Sequence, residues 1–235
     1  MPAVHEPTPP ALTVEDLVVQ LGRRRVLDGV SLTVPAAGQV VGLFGPNGAG
    51  KTTLMRCVVG MVERYRGRVE LARGGVSSMP DAPYLYPFLR VRECEDLFRS
   101  RYPDFSAERS EAIFAALGLD RSRRVGELSK GMSEQVHVAL TFARQVPLYV
   151  LDEPLAAVDP FTRDLLLEVI RGLRPPGSAT VISTHIIQEV GDLFDEVVMI
   201  ADGRVVRHDE VGALPRGTDL EDLYKKEMAA RWSTT

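Results

Sequence analysis

Residues 45–53 read Gly45-Pro46-Asn47-Gly48-Ala49-Gly50-Lys51-Thr52-Thr53, between two segments of opposite character. Before them, Val40-Val41-Gly42-Leu43-Phe44 is a short continuous apolar run, the pattern of a strand buried on both faces of a parallel sheet. After them, the spacing predicts a helix over about 51–61. A G-x-x-x-x-G-K-[ST] run in strand–loop–helix context confines the chain to an α/β architecture and to phosphate chemistry. The glycines let the backbone wrap phosphate oxygens closely. Successive amide N–H groups and the helix N-terminus supply positive potential. Lys51 is placed to reach β- and γ-phosphates, and the Thr52 hydroxyl to ligate Mg²⁺.

A second segment, Leu148-Tyr149-Val150-Leu151-Asp152-Glu153, is an apolar strand ending in two acids. Ligands of open α/β sheets bind at the carboxyl ends of strands, where Asp152 would lie. Asp152 is expected in the Mg²⁺ shell. Glu153 is the candidate to polarise a water for in-line attack on a γ-phosphate.

The remaining pattern supports this arrangement. Alternation from Leu12 to Val34 predicts antiparallel strands around a basic, solvated turn, Gly22-Arg23-Arg24-Arg25. Strands are expected at 148–151, 180–183, 196–200 and 205–206, with Asp202-Gly203 as a hairpin turn. Helices are expected at about 160–171 and 187–193. Residues 91–145 carry helical periodicity without strands. They include a helix capped by Ser106 that ends near Gly118, and another over 133–144. Strand–helix alternation on both sides of an all-helical stretch indicates an α/β core with a helical insertion.

Composition narrows the function. The net charge is −4, against a general nucleic-acid binder. No apolar run approaches the roughly 18–20 residues of a membrane span. Four prolines in the first ten residues make residues 1–11 read as a flexible tail without a signal peptide. Two cysteines, Cys57 and Cys94, make neither a disulfide framework nor a zinc site, and suggest a reduced, cytoplasmic protein.

Four further segments follow in a telling order: Leu128-Ser129-Lys130-Gly131-Met132, Ala157-Val158-Asp159, Ser183-Thr184-His185 and Gly203-Arg204-Val205-Val206. With the phosphate loop and the acid pair, they make residues 12–227 resemble the ATP-binding subunits of ABC transporters. That resemblance implies an α/β fold: a P-loop NTPase (RecA-like) core with an N-terminal antiparallel β subdomain and an inserted all-helical subdomain. One domain would span 12–230, with the core at 12–90 and 147–230 and the insertion at about 91–146. ATP and Mg²⁺ are the implied cofactors. Ser129 and Gly131 would close over ATP held by a second ABC ATPase subunit, identical or not, and Asp159 would link the two sites. His185 would touch the γ-phosphate and orient the attacking water with Glu153. A multi-span membrane permease would be the other partner, with this chain bound peripherally at the inner face of the cell membrane. No nucleic acid is expected.

Three departures from the family pattern stand out. Leu21 occupies the position of a usual adenine-stacking aromatic. Asp81 replaces a glutamine that couples metal to membrane partner, and could still serve as a hard-oxygen metal ligand. The signature reads LSKGM, not LSGGQ, resembling the branch that pairs with small exporter membrane subunits. Tyr84-Leu85-Tyr86-Pro87-Phe88 is a candidate contact for the membrane subunit. A soluble ABC-type ATPase acting on nucleic acid or ribosomes, or a weakly hydrolysing regulatory cassette, is the alternative.

Overall fold

The computed structural model describes residues 9–156, 158–185, 187 and 190–232. Two sheets organise the chain. A three-stranded antiparallel sheet has the order β2 (Arg24–Val34), β1 (Leu12–Leu21), β4 (Arg66–Leu71). A six-stranded sheet has the order β5 (Val76–Met79), β6 (Leu148–Asp152), β7 (Ala179–Ser183), β3 (Val40–Phe44), β8 (Glu196–Ala201), β9 (Arg204–Glu210). All its neighbours pair in parallel except β8 and β9, the hairpin turning at Asp202-Gly203.

The central strands are buried on both faces, and their period of two divides them between two cores. Val40 and Phe44 of β3, Tyr149 and Leu151 of β6, and Val197 and Met199 of β8 face one core. Val41 and Leu43, Leu148 and Val150, and Val198 and Ile200 face the other, with α1 (Lys51–Val58) and the antiparallel sheet. The first core also takes in α5 (Pro160–Gly172) and the helical segment α2 (Val91–Arg101), α3 (Ala107–Ala116) and α4 (Lys130–Phe142). Arg144 ties that segment to the core: it pairs with Asp104 at 2.7 Å and donates to the Val76 carbonyl at 3.0 Å.

Several expected boundaries move, each for a local reason. Helix α4 begins at Lys130, not Ser133, because the Ser129 Oγ accepts the Met132 N–H at 3.2 Å and caps it. Helix α1 stops at Val58, and Gly60 beyond it has φ 76°, a conformation that ends helices. Of the helix expected over 187–193, Gln188 and Glu189 lie outside the described residues, and Gly191–Leu193 form a 3₁₀ turn. Strands β4 and β5 and a C-terminal helix, α6 (Leu220–Trp232), carry no clear sequence signal. Residues 1–8 of the expected tail lie outside the described residues, while Ala11 is buried and donates to the Val34 carbonyl at 2.8 Å. Among the described residues no helix is long and apolar enough to cross a membrane.

The signature helix carries one buried titratable group. His137 is 3% exposed and packs its ring 4.7 Å from that of Tyr84. Burial pushes its pKa down from 6.5 to about 4, so the folded chain holds it neutral. The unfolded chain binds that proton more readily, so stability is full above pH 6.5 and falls as the pH drops toward 4. The loss from this group reaches about 3 kcal/mol. Urea unfolding of the wild type and His137→Gln at pH 7 and pH 4.5 should show a shallower acid loss in the variant.

Candidate active site

The phosphate loop hangs from the end of β3. Gly45 is buried there, and a Cβ on it would collide with the Ile200 carbonyl oxygen of β8. Gly50 has φ 111°, and a Cβ there would run into the Leu27 side chain. Both positions therefore need glycine, one for space and one for backbone conformation as well. Pro46 accepts the Ala49 N–H at 3.1 Å, which tightens the loop. Helix α1 has no acidic residue in its first turn to neutralise its N-terminal dipole.

Lys51 opens that helix and is 7% exposed. Its ammonium donates to the Gly45 carbonyl at 2.7 Å and to that of Pro46 at 3.4 Å. Burial lowers its pKa, against the opposing pull of Glu153 and Asp152. The loop borders a cleft of about 310 Å³. One wall is Asn47, Gly48, Gly50, Lys51, Thr52 and Thr53; a second is Asp81, Asp152 and Glu153; the third is Leu21, Arg24 and Val26 from β1 and β2.

The acid wall is fixed across the sheet by a residue that the motifs do not single out. Ser183, at the end of β7, donates its hydroxyl to Asp152 and accepts the Glu153 N–H at 3.0 Å. Its carbonyl accepts the same N–H at 3.1 Å. Glu153 has φ 52°, the left-handed region. Asp16 and Asp202 share that region, where short polar side chains are tolerated, but glutamate lacks this advantage. Strain of this kind concentrates at functional sites. It turns Glu153 toward His185, whose Nδ1 lies 2.8 Å from the carboxylate Oε2. The signal for Ser183 in the sequence was its place beside Thr184 and His185 at a strand end.

Other expected site residues lie away from this cleft. Ser129 caps α4 and Asp159 caps α5, the latter accepting the Thr162 N–H at 3.1 Å and its hydroxyl at 2.7 Å. These bonds hold the Asp159 carboxyl below its usual pKa. The two helix starts are adjacent: a Cβ on Gly131 would sit 3.4 Å from Thr162 and 3.8 Å from Asp159. Ala157 lies outside the described residues. Among the described residues, no group of three His, Cys, Asp or Glu side chains is gathered as a protein-only metal centre. The cleft instead offers two aspartates and the Thr52 hydroxyl, a hard-oxygen set suited to a cation shared with phosphates.

Comparison with known proteins fits this geometry. Residues 27–156 match the family described as ABC transporter. Nod factor export ATP-binding protein I of Burkholderia lata is 33% identical over 230 residues, covering 89% of this chain and 75% of that protein. The chain belongs to the ABC transporter ATP-binding family. An uncharacterized ABC transporter ATP-binding protein of Bacillus subtilis is 29% identical over 241 residues, covering 96% of this ABC chain and 78% of its own length. A solved ATP-binding subunit of an ABC transporter superposes with TM-score 0.82 at 28% identity, over 93% of this cassette and 99% of that one.

Removing the Ser183 hydroxyl takes its donor from Asp152, while the Glu153 N–H keeps the Ser183 carbonyl as its acceptor. Ser183→Ala should cost about 1–3 kcal/mol of stability. It should also lower ATP turnover more than nucleotide affinity, because it loosens Asp152 in the acid wall without touching Lys51. Thermal melts and steady-state phosphate release check both effects.

Proposed function

We propose that this chain is the ATP-binding and ATP-hydrolysing subunit that powers transport, in the export direction, through a separate membrane subunit. The observation that carries the reading is the Glu153–His185 pair beside a cleft walled by Lys51, Thr52 and Asp152. Family membership supports ATP hydrolysis, and a relative named for Nod factor export supports the direction.

In this reading, Gly45–Thr53 wraps the triphosphate, and Lys51 exchanges its loop carbonyls for phosphate oxygens. Thr52 and Asp152, with Asp81 beside Asp152, would hold Mg²⁺, which when bound would neutralise charge on those oxygens. Glu153 accepts the proton of the attacking water. His185 holds the Glu153 carboxylate and orients that water toward the γ-phosphate. Phosphoryl transfer to water depends mainly on such positioning and charge stabilisation.

Ser129, Gly131 and Asp159 have a part in this chemistry only if they face another molecule's cleft. Their grouping at two adjacent helix starts, outside the chain's own cleft, supports a head-to-tail pair with a second ABC ATPase subunit. Phe161, 72% exposed beside Asp159, would be covered by that pairing. The aromatic segment divides by role. Tyr84 packs inward against His137 and Phe98. Tyr86 and Phe88 are 60% and 65% exposed, with ring centroids 5.5 Å apart, and offer an apolar contact to a membrane subunit.

Glu153→Gln keeps the shape of the site and removes the base. Turnover should fall by at least about 100-fold while ATP still binds, and an ATP-bound dimer should accumulate in light scattering. Surviving turnover would refute the role of Glu153. Tyr86→Ser combined with Phe88→Ser should reduce the share of this chain recovered with the membranes of cells that express it, without loss of folding.

A further inference from the structure

The two ends of the cleft differ in chemistry. Lys51 and the loop amides define the phosphate end. At the other end, the β1–β2 wall, a nucleotide would present its base, and that wall consists of Leu21, Arg24 and Val26. None of these is aromatic, and none offers a side-chain acceptor. Leu21 is 52% exposed and contributes an aliphatic surface. Among the described residues of that wall, Arg24 is therefore the one whose side chain can hydrogen-bond a base.

Its position is set by the backbone. Leu21 and Arg24 are partners in the β1–β2 ladder, closed by the turn Gly22-Arg23 with Gly22 at φ 60°. The Arg24 guanidinium reaches the phosphate loop, donating through Nη2 to the Gly48 carbonyl at 3.4 Å. A guanidinium has five N–H donors, and this bond uses one of them. The neighbouring Arg25 is engaged elsewhere, paired with Asp28 at 2.8 Å. So Arg24 carries a donor-only group from the β1–β2 wall to the rim of the loop, inside the same cleft.

A donor-only fork does not treat the two purines alike. Guanine presents two acceptors side by side, O6 and N7. Adenine presents N7 beside an amino donor, which repels a second N–H. We propose that Arg24 reads the base edge of the bound nucleotide, and that this chain accepts GTP at least as readily as ATP. The inference rests on the nucleoside triphosphate site described above and adds which base it takes.

The test is displacement of a fluorescent nucleotide from the full chain by ATP, GTP and ITP. ITP shares O6 and N7 with GTP and lacks its exocyclic amine. Wild-type protein should bind GTP as tightly as ATP or more tightly, with ITP tracking GTP. Arg24→Ala should weaken GTP and ITP by about tenfold and ATP by less than about twofold. Arg24→Gln supplies one donor and one acceptor, the complement of adenine, and should shift preference toward ATP. A clear wild-type preference for ATP over GTP would overturn the proposal. So would an equal loss for all three nucleotides in Arg24→Ala, which would make Arg24 a phosphate contact. If no triphosphate displaced the probe from wild type, the nucleotide site itself would fall, a result visible as the same failure with every base.

Discussion

Everything at the cleft depends on how closely β3 is enclosed. It lies between β7 and β8 with all five residues buried, and its last carbon skeleton meets the phosphate loop at Gly45. There the loop backs directly onto the Ile200 carbonyl, leaving no volume for a side chain. A loop that must point its amides at phosphate needs a rigid floor, since amides free to reorient would give up the preorganisation that makes them useful. The floor here is a parallel sheet packed on both faces, with one core under each side. The two hydrophobic cores are thus part of the binding chemistry as well as of stability.

The acid wall obeys the same logic one strand away. β6 and β7 are neighbours, so Asp152 and Ser183 stand opposite each other in the ladder. The hydroxyl of Ser183 uses that register to hold one acid by its side chain and the next by its backbone. Two consecutive residues would otherwise project to opposite faces of a strand. The strand ends at Asp152, and the positive φ of Glu153 breaks the alternation and brings its carboxylate to His185. Regular sheet geometry fixes the first acid, and a deliberate departure from it aims the second.

What could be read from the sequence followed from how local each signal is. The phosphate loop's strand–loop–helix setting, the continuous apolar strands, the Asp202-Gly203 turn and the cap at Ser106 are all encoded within a few residues. The structure places them in those roles. Strand β4, Arg-Gly-Arg-Val-Glu-Leu, escaped because it pairs at a sheet edge and is mostly exposed, so charge and glycine mask its pattern. Helix α6 escaped because its apolar residues form no single stripe. Ser183 escaped because its work is done across strands 30 residues apart in the chain, a relation no local spacing reveals. Ser129, Gly131 and Asp159 were legible only as a pattern. Within one chain they are visible as helix caps and a close approach, and a facing subunit is needed to give them more.

The β8–β9 turn has a consequence beyond closing a hairpin. Gly203 donates to the Ala49 carbonyl of the phosphate loop at 3.1 Å, and its own carbonyl accepts the Asp28 N–H of β2 at 2.8 Å. Arg204 grips the Asp28 carboxylate beside it. A side chain at Gly203 would strike the Val26 carbonyl. A segment more than 150 residues downstream of the loop thus acts as a keystone, wedged between the loop and the strand that bears Arg24. The two ends of the cleft share this one brace, so neither can shift its grip without passing the displacement to the other. The spacing between them is thus set by a turn that lies outside the cleft, in the last hairpin of the sheet.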